Sequence, residues 1–457
     1  MITKKNINNT FYLFLFFHLI IWTLVPTFSN INLPLDTIEA LAWGSNLGWG
    51  YDKHPPMSAF AVEFFYYIFG RNDWAYYFLS QIFIIIGFYI VFKFSKEFFR
   101  DTKFAFLSVL LLEGIYFYNF TSPEFNVNVC QIPFWTLSVY FTWRCFKYDK
   151  TIDFIFLGLF VGLGILSKYL FVYLVIGIKL FFIYLIKKKK KIKSMNYFIA
   201  GFLVFLILFP HLIWLYENNF TTFTYGLKRA VGTGEFYDHL TYPLIFLAKQ
   251  IGILIPFFVM SFLLIKKIKL KINLRDEKLI FLLFTTLVPI ILIIFTSTII
   301  GVKIRTMWMT PFYLFSGSFI LYIFQNNIFF KNFKKFSFSF LFFFLLSPMV
   351  YIGVSMASDT KRTDYPGKEI ARLVENKWNN NFKNEIKIVV GDEWSAGNLS
   401  YHLSSRPKWM YTLENKISSI EPSDGIIYTG NPKILKEVCP GVFGTINPVG
   451  YCMIGVK

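Results

Sequence analysis

The hydrophobic pattern of the chain is a series of long apolar stretches separated by short polar segments. There are about eleven of these stretches, most of roughly 17 to 25 residues, which is the length that an α-helix needs to cross a bilayer. They cover residues 11–28, 76–94, 104–119, 129–146, 154–168, 169–186, 197–216, 242–265, 279–300, 310–326 and 336–356. The first stretch resembles a signal peptide, but no small-residue cleavage site follows it, so we interpret it as a membrane helix. The pattern predicts a polytopic α-helical membrane protein.

The pattern changes near residue 357, where apolar and polar residues become mixed. A helix is predicted over 366–378, buried strands over 386–392 and 425–430, and a second helix over 432–438. This part has roughly 100 residues, which is a usual domain size. The sequence therefore predicts a transmembrane domain over 1–356, with a first outer loop over 30–75, and a small α/β domain over 357–457.

Composition and charge support this division. Hydrophobic residues make up 55% and aromatic residues 21% of the chain, which excludes an ordinary soluble globular protein. The net charge of +19 does not indicate nucleic-acid binding, because the basic residues gather in short runs between apolar stretches. With alternating sides, one set of segments holds 24 Lys or Arg and the opposite set holds 7. The positive-inside rule then predicts a cytoplasmic N-terminus and an outer, periplasmic C-terminal domain.

The four cysteines are too few for a disulfide scaffold. Cys130 and Cys145 fall in apolar stretches and are predicted to be packing residues. Cys439 and Cys452 lie in the C-terminal domain and could pair if that domain faces an oxidising compartment.

Charged residues are scarce, at 16% of the chain, so their concentration in the first outer loop is informative. If a short helix follows Pro34, Asp36 and Glu39 lie at i and i+3 on one face. Lys53 and His54 add a cation and an imidazole in the YDKHPP turn. Carboxylates beside cationic groups suit a site for an activated sugar phosphate and its acceptor. The alternative is a solvated loop whose charges only avoid the lipid.

This loop, LDTIEALAWGSNLGWGYDKHPPMSAF, resembles the first extracytoplasmic loop of bacterial polyprenyl-phosphate-sugar glycosyltransferases of the GT-C class. That class includes the dolichyl-phosphate-mannose protein mannosyltransferase-like family, the lipid A aminoarabinose transferase and the lipopolysaccharide galacturonosyltransferases. GLGILSKY at 162–169, YPGKEIARLVENKW at 365–378 and GDEWSAGNLSYHLSSRP at 391–407 are further matches. The similarity spans most of the chain.

The resemblance implies that Asp36 is at the catalytic centre with Glu39 as its partner, either as a base or as a ligand of a divalent metal ion. The alternative for Asp36 is a helix cap. Glu124 falls where the family commonly has an acid, usually Asp. Some relatives carry a metal-binding acid near the position of Lys53, so a bound metal is left open here. Lys53 and His54 are predicted to bind the carrier phosphate, or else to lie at the membrane interface.

Four further positions complete the predicted phosphate-binding set. Lys168 and Tyr169 lie between two apolar runs that form a hairpin, so the ammonium group is expected at the outer interface. Arg229 precedes the glycine-rich VGTGE segment, which resembles a mobile loop over a site. Lys303 and Arg305 form another outer cationic cluster, although the neighbouring Trp308 is equally consistent with an interfacial belt.

The resemblance implies an inner-membrane glycosyltransferase that takes a monosaccharide from a polyprenyl-phosphate carrier, with undecaprenyl phosphate as the expected carrier. Transfer is expected on the periplasmic side, with inversion at the anomeric carbon. Lipid A or the lipopolysaccharide core is the expected acceptor, and protein is the second choice. Membrane lipids are expected partners and nucleic acid is not. A transporter or flippase of a lipid-linked sugar is the alternative from another class.

Overall fold

A computed structural model describes residues 4–190, 194–230, 232, 234–268, 272–358, 360–411 and 422–457. The helices of its first part are α1 (Lys4–Ser29), α2 (Leu35–Gly44), α3 (Met57–Phe69), α4 (Asp73–Phe98), α5 (Thr102–Leu110), α6 (Val127–Tyr148), α7 (Thr151–Ser167), α8 (Val172–Lys187), α9 (Ser194–Glu217), α10 (Thr221–Ala230), α11 (Asp238–Leu264), α12 (Glu277–Leu282), α13 (Val288–Ile300), α14 (Ser316–Ile323) and α15 (Phe333–Met356). The predicted helical membrane fold is confirmed.

Seven helices among the described residues are long and apolar enough to cross a membrane. They are Asn6–Ser29, Asp73–Phe98, Tyr169–Lys187, Met195–Glu217, Asp238–Leu264, Glu277–Ile300 and Phe330–Met356. The span over α4 is the most buried, at 67%, whereas the spans over α9 and α15 are only 11% buried. Helix α4 is therefore central in the bundle, and α9 and α15 leave apolar faces for lipid.

Some of the eleven apolar stretches are not single α-helices; the stretch 279–300, for example, is α12, a π-helical turn over Leu283–Leu287 and α13. The stretch 104–119 forms α5 and then two short 3₁₀ turns, Leu111–Gly114 and Tyr116–Tyr118. Gly114 touches the backbone of α11 here, since a Cβ at this position would lie 2.6 Å from the Cα of Phe257. Irregular backbone is tolerated at membrane depth where protein encloses it. The stretch 310–326 is likewise broken, into the end of a 3₁₀ helix and the short α14.

Lysine-rich segments that were predicted on the same side meet at one end of the bundle. Lys190 Nζ lies 2.7 Å from Glu277 Oε2, which joins the end of α8 to the start of α12. Lys278 donates a hydrogen bond to the carbonyl of Phe98 at the end of α4. The lysine-rich segments are thus close to each other in three dimensions, as the alternation of sides requires. Which side faces the cytoplasm stays a prediction.

The C-terminal part is the predicted α/β domain. It contains α16 (Gly367–Asn379), β1 (Ile388–Val390), α17 (Ser395–His402), β2 (Lys408–Met410), β3 (Ile426–Gly430), α18 (Pro432–Val438), β4 (Val442–Ile446) and β5 (Val449–Ile454). The strands form one sheet in the order β2-β1-β3-β5-β4, with parallel pairing on both sides of β1 and antiparallel pairing of β5 with β3 and β4. Cys439 and Cys452 are joined by a disulfide, as the sequence predicted under oxidising conditions.

This domain docks on the first outer loop. Arg406 donates to Glu63 in α3 at 2.6 Å and to the carbonyl of Leu41 in α2 at 2.7 Å. Asn398 in α17 accepts a hydrogen bond from Asn32 at 2.8 Å. The two predicted domains therefore share an interface, and α2 lies inside it.

Candidate active site

Helix α2 presents the two acids that the sequence singled out. Pro34 has no amide hydrogen and takes an extended ψ of 161°, so a new helix starts at the next residue. Asp36 lies in the first turn, and no side chain caps this helix start, which removes the capping interpretation of Asp36. The Asp36 N–H instead donates to Glu124 Oε1 at 3.1 Å, across 88 residues of sequence. The first and second outer loops therefore meet at these two acids.

Glu124 is half-buried in a turn just before α6. Burial, followed by the negative charge of Asp36, raises the pKa of Glu124 to about 8, although the Asp36 N–H hydrogen bond opposes this. Burial also raises the pKa of Asp36, against the positive charges of Lys168 and Arg229. Burial and the negative charge of Asp36 therefore both favour the protonated form of Glu124.

Glu39, one turn further along α2, is paired with a cation. Lys53 Nζ lies 2.5 Å from Glu39 Oε2 and 2.9 Å from Glu393 Oε1 of the C-terminal domain. Burial raises the pKa of Glu39 to about 7, although the charge and hydrogen bond of Lys53 oppose the rise. Since two carboxylates already engage the Lys53 ammonium, its predicted role in binding the carrier phosphate stays a prediction.

Lys168 has a different environment. It follows the last residue of α7 in an extended conformation, and its side chain turns into the protein, so that only 5% of the residue is exposed. Its Nζ donates to Asn128 Oδ1 at 2.6 Å and lies 4.9 Å from the ring centroid of Trp308. Burial lowers the pKa of Lys168 to about 7, and the negative charge of Asp36 opposes that fall. A buried ammonium with a neutral amide and a ring face beside it is ready to receive an anion.

Two of the other predicted cations lie at the rim of the same site. Arg229 and Arg305 are exposed, and the positive charges of both act on Asp36 and on Lys168. Arg229 hydrogen-bonds Tyr225 one turn back in α10. The Lys303 side chain is exposed, and its amide donates to the carbonyl of Ala230 at 3.1 Å, which holds two rim segments together. In the part of the chain that the structure describes, none of these three side chains forms an ion pair with a carboxylate.

His54 belongs to this neighbourhood as a neutral group. Its ring makes an edge contact with Trp43, at 6.0 Å between centroids. Burial lowers the pKa of His54 well below its usual value, and the positive charges of Lys168 and Arg229 lower it further. The imidazole is therefore uncharged at neutral pH. It can form hydrogen bonds to a phosphate but does not act as a second cation.

Tyr169 contributes to the wall of the site through a histidine that sequence reasoning missed. The Tyr169 hydroxyl lies 2.7 Å from His211 Nε2, and His211 Nδ1 lies 2.6 Å from the carbonyl of Trp49. A carbonyl only accepts, so Nδ1 carries the proton and Tyr169 donates to Nε2. His211 thus ties the first loop to the hairpin that carries Lys168. An ionisable residue inside an apolar stretch was the available signal.

Two residues of the C-terminal domain also reach the site and were missed. Glu393 pairs with Lys53, and the positive charge of Arg362 acts on Glu124. Glu393 comes directly after a predicted strand in the GDEW segment, where functional residues of α/β domains often lie. No sequence pattern singled out Arg362, which begins a short 3₁₀ turn between α15 and α16.

A divalent ion was left open by the sequence. Among the described residues, no group of three or more His, Cys, Asp or Glu side chains is arranged to hold a metal ion. Asp36 and Glu124 are two adjacent acids, while the nearby Glu39 is already paired with Lys53. The described donors therefore do not fit a resident metal ion by themselves.

Comparisons with known proteins show which proteins the chain resembles. Residues 53–214 match the sequence model of the dolichyl-phosphate-mannose-protein mannosyltransferase family. No curated protein matches the sequence. Among solved structures, the chain is similar to ArnT from Cupriavidus metallidurans in the apo state, with 10% identity, coverage of 97% of this chain and 98% of that chain, and a TM-score of 0.64. The same protein bound to undecaprenyl phosphate gives 12% identity, coverage of 96% and 97%, and a TM-score of 0.63.

Proposed function

Since this chain is a glycosyltransferase with an ArnT-like GT-C fold and a mannosyltransferase-family region, we propose that it transfers a monosaccharide from undecaprenyl phosphate to lipid A or the lipopolysaccharide core. The observation that carries the proposal is the buried Lys168 ammonium, held by Asn128 and Trp308 beside Asp36. The ArnT structure with the same fold was bound to undecaprenyl phosphate.

The cationic groups suit the leaving phosphate. In the donor, the phosphate that joins the sugar to the lipid is a diester with one negative charge. As the bond from the anomeric carbon to the phosphate oxygen breaks, the electron pair stays on that oxygen and a second negative charge develops. Lys168, Arg229 and Arg305 therefore interact more strongly with the transition state than with the bound donor.

The acidic groups suit the acceptor. The acceptor oxygen attacks the anomeric carbon from the face opposite the phosphate, which inverts the configuration. If the acceptor is a hydroxyl, its proton passes to the carboxylate of Asp36, whose raised pKa makes it a stronger base than an exposed carboxylate. If the acceptor is an ionised phosphate, no proton is released, and Asp36 orients the reacting groups.

The periplasmic side is proposed for two reasons. The site lies at the end of the bundle opposite the lysine-rich segments, so it is outside under the positive-inside rule. The disulfide between Cys439 and Cys452 suits an oxidising compartment. The multi-pass protein then has its N-terminus in the cytoplasm and its C-terminal domain in the periplasm.

A protein acceptor is the second candidate, and the match to the protein mannosyltransferase family favours it. Transfer to protein would use the same donor chemistry as transfer to lipid A. The two functions would differ only in the acceptor that binds beside Asp36.

The test is a transfer assay in membranes with radiolabelled undecaprenyl-phosphate sugars and with lipid A, core oligosaccharide and protein as acceptors. Label should appear on lipid A or the core, and Asp36→Asn should lower the rate by about 10²- to 10⁴-fold. Glu217→Gln is the control, because Glu217 is an exposed acid at the end of α9 and should leave the rate near that of the wild type.

Label on protein alone would support the second candidate instead. Unchanged transfer in Asp36→Asn, or a cytosolic location of residues 33–60 by accessibility labelling, would contradict the proposal. Movement of intact carrier-linked sugar across vesicle membranes without transfer would indicate a transporter.

A further inference from the structure

The Lys53 ammonium is shared between the two domains. Glu39 Oε2 in α2 lies 2.5 Å from Nζ, and Glu393 Oε1 in the C-terminal domain lies 2.9 Å from it. The side chains of Lys53, Glu39 and Glu393 are only 22%, 12% and 14% exposed. Partial burial strengthens such charge pairs compared with pairs in open water, so this arrangement is more than a surface contact.

The backbone around Glu393 is held in place by its own domain. Asp392 accepts hydrogen bonds from the N–H groups of Trp394 and Ser395, both at 2.8 Å, at the start of α17. Helix α17 in turn crosses α2 at close range, because a Cβ on Gly397 would lie 3.1 Å from the Cβ of Ala42. Glu393 therefore approaches Lys53 from a fixed direction, and only when the C-terminal domain is docked.

We propose that Glu393 is a positioning residue of the active site, which holds Lys53 in place and, through it, sets the orientation and charge of Glu39. The C-terminal domain then contributes a residue to the active site, in addition to packing against the first outer loop. This inference rests on the proposed function, since Glu39 matters to the reaction only if the site beside it transfers sugar.

The charges that surround Glu39 come from four segments. They are Asp36 on α2, Lys53 in the YDKHPP turn, Glu124 before α6 and Glu393 before α17. Glu393 adds a negative charge that disfavours ionisation of Glu39, and it takes up part of the Lys53 ammonium. Without the Glu393 charge, the Lys53 ammonium would pair with Glu39 only, and the repulsion between Glu393 and Glu39 would be lost. The apparent pKa of Glu39 should therefore fall by about one unit.

The experiment compares Glu393→Gln with Glu375→Gln in the full-length protein. Glu375 is an acid on α16 of the same domain that hydrogen-bonds Ser404 and forms no ion pair with Lys53. The Glu39 carboxyl is titrated by infrared spectroscopy, with Glu39→Gln to assign its band, and the pH profile of kcat/KM is measured in parallel. In Glu393→Gln, we expect the midpoint of the Glu39 infrared titration to move to lower pH. The part of the kcat/KM pH profile that depends on ionisation of Glu39 should move in the same direction. Neither should move in Glu375→Gln, and Glu393→Asp should restore values near those of the wild type.

Each outcome decides the proposal. If Glu393→Gln titrates like the wild type, the proposal is overturned, even if activity is lost. If the thermal melting curve shows that Glu393→Gln does not fold, Glu393→Ala replaces it. The alanine variant removes the same charge without burying an amide. The infrared shift does not depend on catalysis. A shift in a protein that transfers no sugar would therefore contradict the proposed function while supporting the link between Glu393 and Glu39.

Discussion

Two lysines of one site, Lys53 and Lys168, have opposite electrostatic environments. Two carboxylates surround Lys53 and, despite its burial, raise its pKa. Lys168 is more deeply buried, its nearest polar partner is the neutral Asn128, and burial lowers its pKa to about 7. The first lysine already has its counter-charges within the protein, whereas under the proposed function the second acquires one when the donor phosphate binds. The comparison separates an organising cation, Lys53, from the proposed substrate-binding cation, Lys168.

The largest expected effect concerns the substrate-binding cation. Lys168→Met should lower kcat/KM for the undecaprenyl-phosphate sugar by about 10²- to 10³-fold, which is typical of losing one preorganised group that stabilises developing charge. The control is Lys383→Met, since Lys383 is an exposed lysine of the C-terminal domain. Transfer rates over a range of donor concentrations measure the effect. An equal loss in both variants would show that Lys168 has no special role.

The second prediction is a pH dependence of donor binding. An anionic phosphate prefers protonated Lys168, and the pKa of this group in the free protein is about 7. Donor affinity should therefore be highest below pH 7 and fall by up to about tenfold per pH unit above it, and binding at pH 8 should take up a proton. Calorimetry in buffers of different ionisation enthalpy measures this uptake.

Lys168→Arg sharpens the same test, because arginine stays charged across this range. Its donor affinity should be nearly flat between pH 6 and pH 9. The same decline with pH in Lys168→Arg would assign the titration to another group.

The smallest expected effect concerns the organising cation. Lys53→Met leaves the carboxylates of Glu39 and Glu393 beside each other without a cation, which should lower the free energy of unfolding by about 1 kcal/mol, allowing for the partial exposure of the pair. Thermal melting in detergent measures it. Lys53→Met combined with Glu393→Gln should regain part of the loss, and additive losses would argue against the pairing.

Much of the fold followed from local patterns. Helices need about twenty apolar residues to cross a bilayer, so the long spans were visible as stretches, and the helix Pro432–Val438 was predicted at its observed bounds. The broken stretch 104–119 was predicted as one span because its turns are as apolar as a helix. Only the neighbouring α11 shows why the backbone can leave the helix there.

The candidate site was predicted only in part. The sequence alone placed Asp36 and Glu39 on one helix, because i and i+3 positions share a face whatever surrounds them. It also determined the membrane class, the α/β character of the C-terminal domain and the cysteines available for a disulfide. Each of these depends on residues close together in the chain or on composition.

The tertiary structure decided the electrostatics. It brought Glu124 to the Asp36 amide, gave Lys53 a second carboxylate from the other domain, and buried Lys168 with a hydrogen bond to the amide of Asn128. The physical reason is that charge and pKa depend on distance and burial in space, and residues far apart in sequence supply both.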